Sequence, residues 1–411
     1  MIGAALLAAS ALAFDVGADL RIRQELIHHA PRGVDYKNHI RFRPRVWAEV
    51  KGESEAAGKW RVYTRLADEF RWNVKPHAEN TAWPGEVIFD NLFVEGKDLF
   101  DGKLDVKLGR QDLMNYCGLG HVFMDGTPGD GSRTVYTDMA ALKFKVDDVS
   151  TLDLFGLYNL DSAHDFRWGD DQRRLTGLSA RYGDGSGEQD DWGYGAIWGS
   201  EFNKNLKYQV FFAGKQTCHQ HYAKDHTELV GVKLMPQWSE TLSSSFEAMS
   251  EFDDEYSAYA DIKWKSTRQG IKPFASASYH YMSEKWDPMW GRGVNDSELF
   301  LYGTHDGSAW WSNMHFLKFT AGLEFSRAHA LTASTGPMWA ARDDGVGGGD
   351  GKFKGMLTQG KYEFPLYLAD KAKGERLEVL GHVIAEFFNP GEYYSQDKTG
   401  WFVRWQVEIR F

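Results

Sequence analysis

The sequence predicts an all-β fold, a transmembrane antiparallel up-and-down β-barrel of about eighteen strands. Three observations carry that expectation. From residue 17 onward, runs of roughly ten residues alternate polar and apolar side chains. The links between those runs alternate short and long. The chain closes on Trp401–Phe411, with Trp401, Val403, Trp405, Val407, Ile409 and Phe411 on one face of a strand. Phe402, Arg404, Gln406, Glu408 and Arg410 occupy the other face.

Met1–Ala13 is an apolar run ending in Ala11-Leu-Ala13, an A-x-A cleavage signal. It reads as a signal peptide (1–13), with Phe14 opening a single mature barrel over 14–411. A positive n-region is missing, which leaves room for a true start upstream of Met1. The first strand alternates Arg21, Arg23 and Glu25 with Leu20, Ile22 and Leu26. In the second, His39, Arg41, Arg43, Arg45, Trp47 and Glu49 alternate with Ile40, Phe42, Pro44, Val46, Ala48 and Val50. Arg61, Tyr63 and Arg65 alternate with Trp60, Val62 and Leu66 in the third. Further strands are expected at 86–97, 102–112, 135–146, 150–160, 191–202, 205–217 and 226–236. The same pattern continues at 240–251, 255–266, 271–283, 313–326, 328–341, 353–366 and 375–388 before the closing strand.

Short links such as Asp147-Asp148-Val149, Asn203-Lys204-Asn205 and Thr267-Arg268-Gln269-Gly270 read as periplasmic turns. The long ones, 71–85, 113–134, 161–190, 284–312 and 342–352, read as outer loops. An extra alternating run, Leu175–Tyr182, is assigned to an outer loop because outer-membrane strand counts are usually even.

Composition agrees. Sixteen tryptophans, 18 tyrosines and 26 phenylalanines are a heavy load for a chain of mean hydropathy −0.49. Aromatic girdles at two membrane interfaces would use them. No window offers the ~18 uninterrupted apolar residues of a spanning helix. A soluble β-sandwich or propeller also alternates, but Arg41, Arg43 and Arg45 share one strand face. An arginine facing lipid at mid-membrane costs ~2–4 kcal/mol. If Ile40, Phe42 and Val46 meet lipid, those arginines must meet water in a lumen. The net charge of −11 argues against nucleic acid as a partner.

Leu108-Gly-Arg-Gln-Asp112, Asp125-Gly-Thr-Pro-Gly-Asp-Gly-Ser-Arg-Thr134, the preceding Asp90-Asn91-Leu-Phe-Val94 and the strand ending at Phe411 resemble the alginate-export outer-membrane β-barrel family. The resemblance spans most of the mature chain, with specific motifs confined to 86–146. It implies an eighteen-stranded barrel and passive passage of an anionic polyuronate. The terminal phenylalanine resembles the C-terminal signature of outer-membrane barrels. That makes Phe411 the expected assembly signal and the barrel-assembly machinery an expected partner.

The residues themselves point to an anion-leaning pore. The polar faces of the first three strands carry Arg21, Arg23, Arg41, Arg43, Arg45, Lys59, Arg61 and Arg65 against Asp19, Glu25, Glu49 and Glu69. Later polar faces add Lys107, Arg110, Lys143, Lys145, Arg404 and Arg410. Arginine suits carboxylates because its planar fork binds them in pairs and stays charged. A cationic wall in a narrow pore concentrates anionic solutes. An arginine–glutamate ladder that only stiffens the wall is the competing account; the arginine excess favours solute selection.

Loop 113–134 supplies Asp125, Asp130 and Arg133 among tight glycine turns, a candidate constriction folded into the lumen. A surface loop tied by Arg133 to either aspartate fits the same residues. Cys117 and Cys218 are expected on the same rim, either free or paired. The tract holding His219, His221 and His226 is compatible with zinc or copper, though surface histidines account for it and no metal or cofactor is expected. Loop 342–352 reads as a flexible connection. Neither G-x-S-x-G nor H-E-x-x-H occurs.

The expectation is therefore a non-enzymatic passive porin in the outer membrane of a Gram-negative-type bacterium. It would contact outer-membrane lipid and pass acidic sugars, oligouronates, an exported anionic polysaccharide or other small anions. A barrel enzyme of lipase or protease type would need a nucleophile–base pair at the rim. A plugged structural or receptor barrel would conduct nothing.

Overall fold

The computed structural model describes residues 12–30, 36–54, 58–75, 87–111, 121–123, 137–159, 191–216, 226–287, 289–290 and 312–411. Its strands are β1 (Leu12–His28), β2 (Tyr36–Ser54), β3 (Gly58–Ala67), β4 (Phe70–Lys75), β5 (Ile88–Asp98), β6 (Leu104–Gln111), β7 (Thr137–Lys145) and β8 (Thr151–Asn159). They continue as β9 (Asp191–Asn203), β10 (Leu206–Gln216), β11 (His226–Pro236), β12 (Leu242–Glu251), β13 (Tyr256–Lys265) and β14 (Lys272–Met282). The last are β15 (Met314–Ser326), β16 (His329–Trp339), β17 (Phe353–Tyr367), β18 (Glu378–Pro390) and β19 (Gly400–Arg410). Neighbours pair antiparallel, and β1 also pairs with β19, so the sheet closes on itself.

β3 and β4 are two lengths of one stave. Both pair with β2, and β3 pairs on with β5. The break falls at Asp68 and Glu69, where the Asp68 N–H donates to Pro44 O at 3.0 Å. The result is a closed barrel of 18 staves. Each strand expected from the alternation coincides with one stave. β4 takes the opening residues of the loop expected at 71–85, because Phe70 and Trp72 pack on Phe42, each at 4.8 Å, and prolong the pairing. Residues 1–11, the run 175–182, loop 161–190 and both cysteines lie outside the described residues.

Alternation sorts the two walls. On β11, Val230, Val232 and Leu234 are exposed on the outer wall while Leu229 is buried on the inner one. Leu92, Val94 and Leu108 make the same outer band on β5 and β6. An apolar belt of this kind suits contact with lipid tails.

The packed core sits inside the barrel. The connections β6–β7 and β14–β15 both send side chains inward: Val122, Phe123, Trp286, Met289 and Trp290 are buried against inward Phe155, Phe211, Met249 and Phe316. Phe123 stacks on Trp290 with centroids 5.5 Å apart. Loop 342–352 is docked rather than flexible. Gly349 N–H donates to Tyr393 O (3.0 Å), Ser395 N–H to Gly347 O (3.1 Å), and Asp344 accepts from Asn313 Nδ2 (2.7 Å) and Tyr393 OH (2.8 Å). A Cβ on Gly347 would lie 2.1 Å from Tyr393 O, so that glycine serves close approach of backbones.

Candidate functional site

Three strands meet at the seam of the barrel, β19, β1 and β2, and their register stacks four charged rungs on the inner wall. From the outer end the rungs are Arg404–Glu25–His39, Gln406–Arg23–Arg41, Glu408–Arg21–Arg43 and Arg410–Asp19–Arg45. Outward Leu20, Ile22 and Leu26 fix that register, since a one-residue slip would turn every arginine to lipid.

Glu25, fully buried, is the hub of the top rung. Its carboxylate meets Arg23 Nε at 3.0 Å, Arg404 Nε at 2.9 Å, His39 Nε2 at 2.6 Å and Arg41 Nε at 3.3 Å. Arg45 Nε contacts both oxygens of Asp19 at 2.9 Å, and Arg410 Nε bonds Glu408 at 3.0 Å. Arg41 also faces Glu69 at 3.7 Å, so the break in the third stave delivers an acid to the lattice. The middle rungs set Arg23 against Arg41 and Arg21 against Arg43. Cationic groups directly opposite one another repel, and water, nearby acids or a bound anion must hold them in place.

Towards the short-turn rim the basic wall continues with more pairing. Arg61 contacts Glu49 (3.1 Å) and Glu95 (3.0 Å), and Arg65 Nε bonds Asp90 at 2.7 Å. Lys107 Nζ lies 4.1 Å from the Phe93 ring centroid. Lys59, Lys143 and Lys145 pair with Asp98, Asp153 and Asp105 or Asp98 at the rim. Lys97, Lys107 and Lys143 alternate with Glu95, Asp105 and Asp153 around a cavity of about 240 Å³.

Arg110 departs from the expected set. Its register partner is Leu92, which is exposed on the outer wall beside Val94 and Leu108. Arg110 bonds Asp138 through Nε and Nη2, both at 2.9 Å, and donates to Phe89 O at 3.0 Å. Parity explains the difference: Lys107 and Gly109 point inward on β6, so Arg110 points out. The carboxylate pair and carbonyl bond shield its charge there.

Asp125, Asp130 and Arg133 lie outside the described residues, as do His219 and His221, whereas His226 opens β11 with its Nε2 3.6 Å from Glu228. The described part of that loop, His121–Phe123, crosses the interior. His121 Nδ1 lies 2.5 Å from Ser257 Oγ and its Nε2 lies 2.9 Å from His280 Nδ1. Trp286 Nε1 donates to His121 O at 3.0 Å, and Trp290 N–H to Val122 O at 2.9 Å. Lys215 Nζ holds Met289 O at 2.8 Å, and Thr227 Oγ1 holds Asp287 at 2.8 Å. The Ser257–His121 contact has the form of a nucleophile–base pair. At 2% exposure, Ser257 offers its hydroxyl to no substrate; it is an anchor for the loop. Sequence patterning missed this clasp, because its members are distant in the chain and each is ordinary in its own strand.

No family model matches the chain, and no curated protein is similar to it in sequence. The resemblance to alginate-export proteins therefore rests on the quoted motifs alone. Solved structures decide the fold. The chain shares the closed 18-stave barrel of several bacterial proteins. Pseudomonas aeruginosa OpdQ is similar over 97% of both chains, with TM-score 0.59 and 10% identity. Acinetobacter baumannii OccAB2 is similar over 97% of this chain and 98% of its own, with TM-score 0.60 and 12% identity. P. aeruginosa OccK2 (OpdF), solved in complex with glucuronate, is similar over 97% of both chains, with TM-score 0.58 and 10% identity.

Proposed function

We propose that this chain is a passive porin of the Gram-negative outer membrane for small anionic solutes, acidic sugars foremost. The observation that carries the proposal is the like-charge pairing of Arg21 with Arg43 and Arg23 with Arg41 on the inner wall. A wall built only for stiffness would alternate charges across each rung, as Asp19–Arg45 does. Two rungs that do not alternate concentrate guanidinium on that wall beyond the acids Glu25, Glu69 and Glu408 beside them, and the resulting positive field draws carboxylates. The glucuronate held by OccK2 is a solute of this class. Monomers and short oligouronates fit the reading better than a long exported polysaccharide, because Phe123 and Trp290 meet across the interior.

Reversal potentials of the purified pore in planar bilayers test it. Anions should be preferred at ~0.1 M salt and the preference should fade towards 1 M, as the Debye length falls from ~10 Å to ~3 Å. Cation preference at low salt would end the proposal. The inward Phe123–Trp290 stack favours one other reading, a plugged receptor barrel, and the same recordings would then show no conductance. Phe411 belongs to the proposal as the assembly signal. Its removal should lower the yield of heat-modifiable barrel in the outer membrane, and normal assembly without it would refute that role.

A further inference from the structure

The inner wall just periplasmic of the arginine rungs carries aromatic rings where a water-facing strand ordinarily carries polar groups. Trp47 on β2 and Tyr63 on β3 lie with centroids 6.2 Å apart and planes 24° from parallel. Tyr63 continues onto Phe93 of β5 at 5.3 Å and 26°. Parity puts all three inside: Trp47 shares its face with Arg43, Arg45 and Glu49, and Phe93 with Glu95. Phe93 is covered, with Lys107 Nζ 4.1 Å and the Arg61 guanidinium carbon 5.0 Å from its centroid. Trp47 and Tyr63 are only partly buried.

The tryptophan is seated by a glycine on the neighbouring strand. Gly17 pairs with Trp47 across the β1–β2 ladder, and a Cβ there would lie 2.4 Å from Trp47 Cζ2. The indole thus lies against the β1 backbone at Gly17 and stays partly exposed. Gly17 and Trp47 occupy the rung next to Asp19–Arg45, and Arg65 is the partner of Trp47 on the other side. A flat π surface therefore abuts the end of the cationic wall.

We propose that Trp47 and Tyr63 form a stacking platform for the pyranose ring of an acidic sugar, with Arg45 and Arg65 beside it addressing the carboxylate. The axial C–H bonds of a pyranose carry partial positive charge and meet the negative face of an aromatic ring, while the ring hydroxyls stay in water. Charge alone would admit any small carboxylate. The platform selects, among anions, those with a saturated ring. This rests on the porin proposal above and adds ring recognition to it.

The test is ion-current interruption by glucuronate, a cyclic acid, against gluconate, its open-chain counterpart of equal charge, with methyl glucoside as the uncharged ring. In the unaltered pore glucuronate should dwell longest. Trp47→Ala should shorten glucuronate dwell by about tenfold, the ratio that ~1.4 kcal/mol of stacking represents, and leave gluconate dwell unchanged. Trp47→Phe should recover most of the loss, and Gly17→Ala should mimic Trp47→Ala in part. Reversal potentials should stay anionic in every variant. Equal loss for glucuronate and gluconate, or no loss for either, would overturn the platform. Should the unaltered pore prefer cations, the porin proposal fails by itself. Methyl glucoside then decides the platform alone: retained, Trp47-dependent dwell supports it and absence removes it.

Discussion

Arg21 stands directly opposite Arg43 across the β1–β2 ladder, with Glu408 on its other flank. That local surplus of guanidinium sets a prediction for permeation. Changing Arg21 or Arg43 singly to Gln should shift the reversal potential towards cations at low salt more than the same change at Arg45, whose charge Asp19 already offsets. Equal shifts would show that net charge, not like-charge pairing, governs the wall.

Glu25 gathers Arg23, Arg41, Arg404 and His39 around one fully buried carboxylate. Glu25→Gln should cost on the order of 3–5 kcal/mol, because it strands buried charge. The checking measurement is the urea dependence of heat-modifiable gel migration. Adding Arg404→Gln should recover part of the loss. A double variant no more stable than the single would break the hub interpretation.

His121 ties the β6–β7 loop to β13 and β14. His121→Ala should release that loop, raise single-channel conductance and make the current noisier, at a stability cost of about 1–3 kcal/mol. Unchanged conductance would mean that the loop stays in place through Trp286 and Trp290 alone.

Arg110 supplies a negative control. Its bidentate contact with Asp138 lies on the outer wall, so Arg110→Gln should leave ion selectivity untouched. A shift comparable to that of Arg21 and Arg43 would place its charge in the conduction path.

The barrel was legible in the sequence because lipid and water enforce a period of two on every stave. The stave spans and the shared face of the arginines on β1, β2 and β19 follow from that period, while the even count follows from the usual parity of such barrels. Arg110 shares a polar run with Lys107, but three positions separate them and a period of two sets such residues on opposite walls. The clasp of His121, Ser257 and His280 left no periodic trace, since loop placement depends on contacts between remote segments. Trp47 did leave a signal, a large ring in register with arginines on the water face. Alternation classifies faces but does not say why an aromatic belongs on the wet one.

The seam between β1 and β19 joins residues as distant as Arg404 and Glu25, which are 379 positions apart. This is the costliest loop to close and the slowest kind of contact to form. Before it closes, β1 and β2 hold Arg21, Arg23, Arg41 and Arg43 together without Glu408, and Arg404 lacks its carboxylate. Closure thus neutralises part of a strained edge in the same step that completes the barrel. A chain halted short of that step would be an open sheet whose margin keeps Arg21 and Arg23 of β1 beside Arg41 and Arg43, poorly suited to pairing with a second unfinished copy. The charges we propose to sort solutes in the finished pore would, during biogenesis, also discourage mispaired barrels.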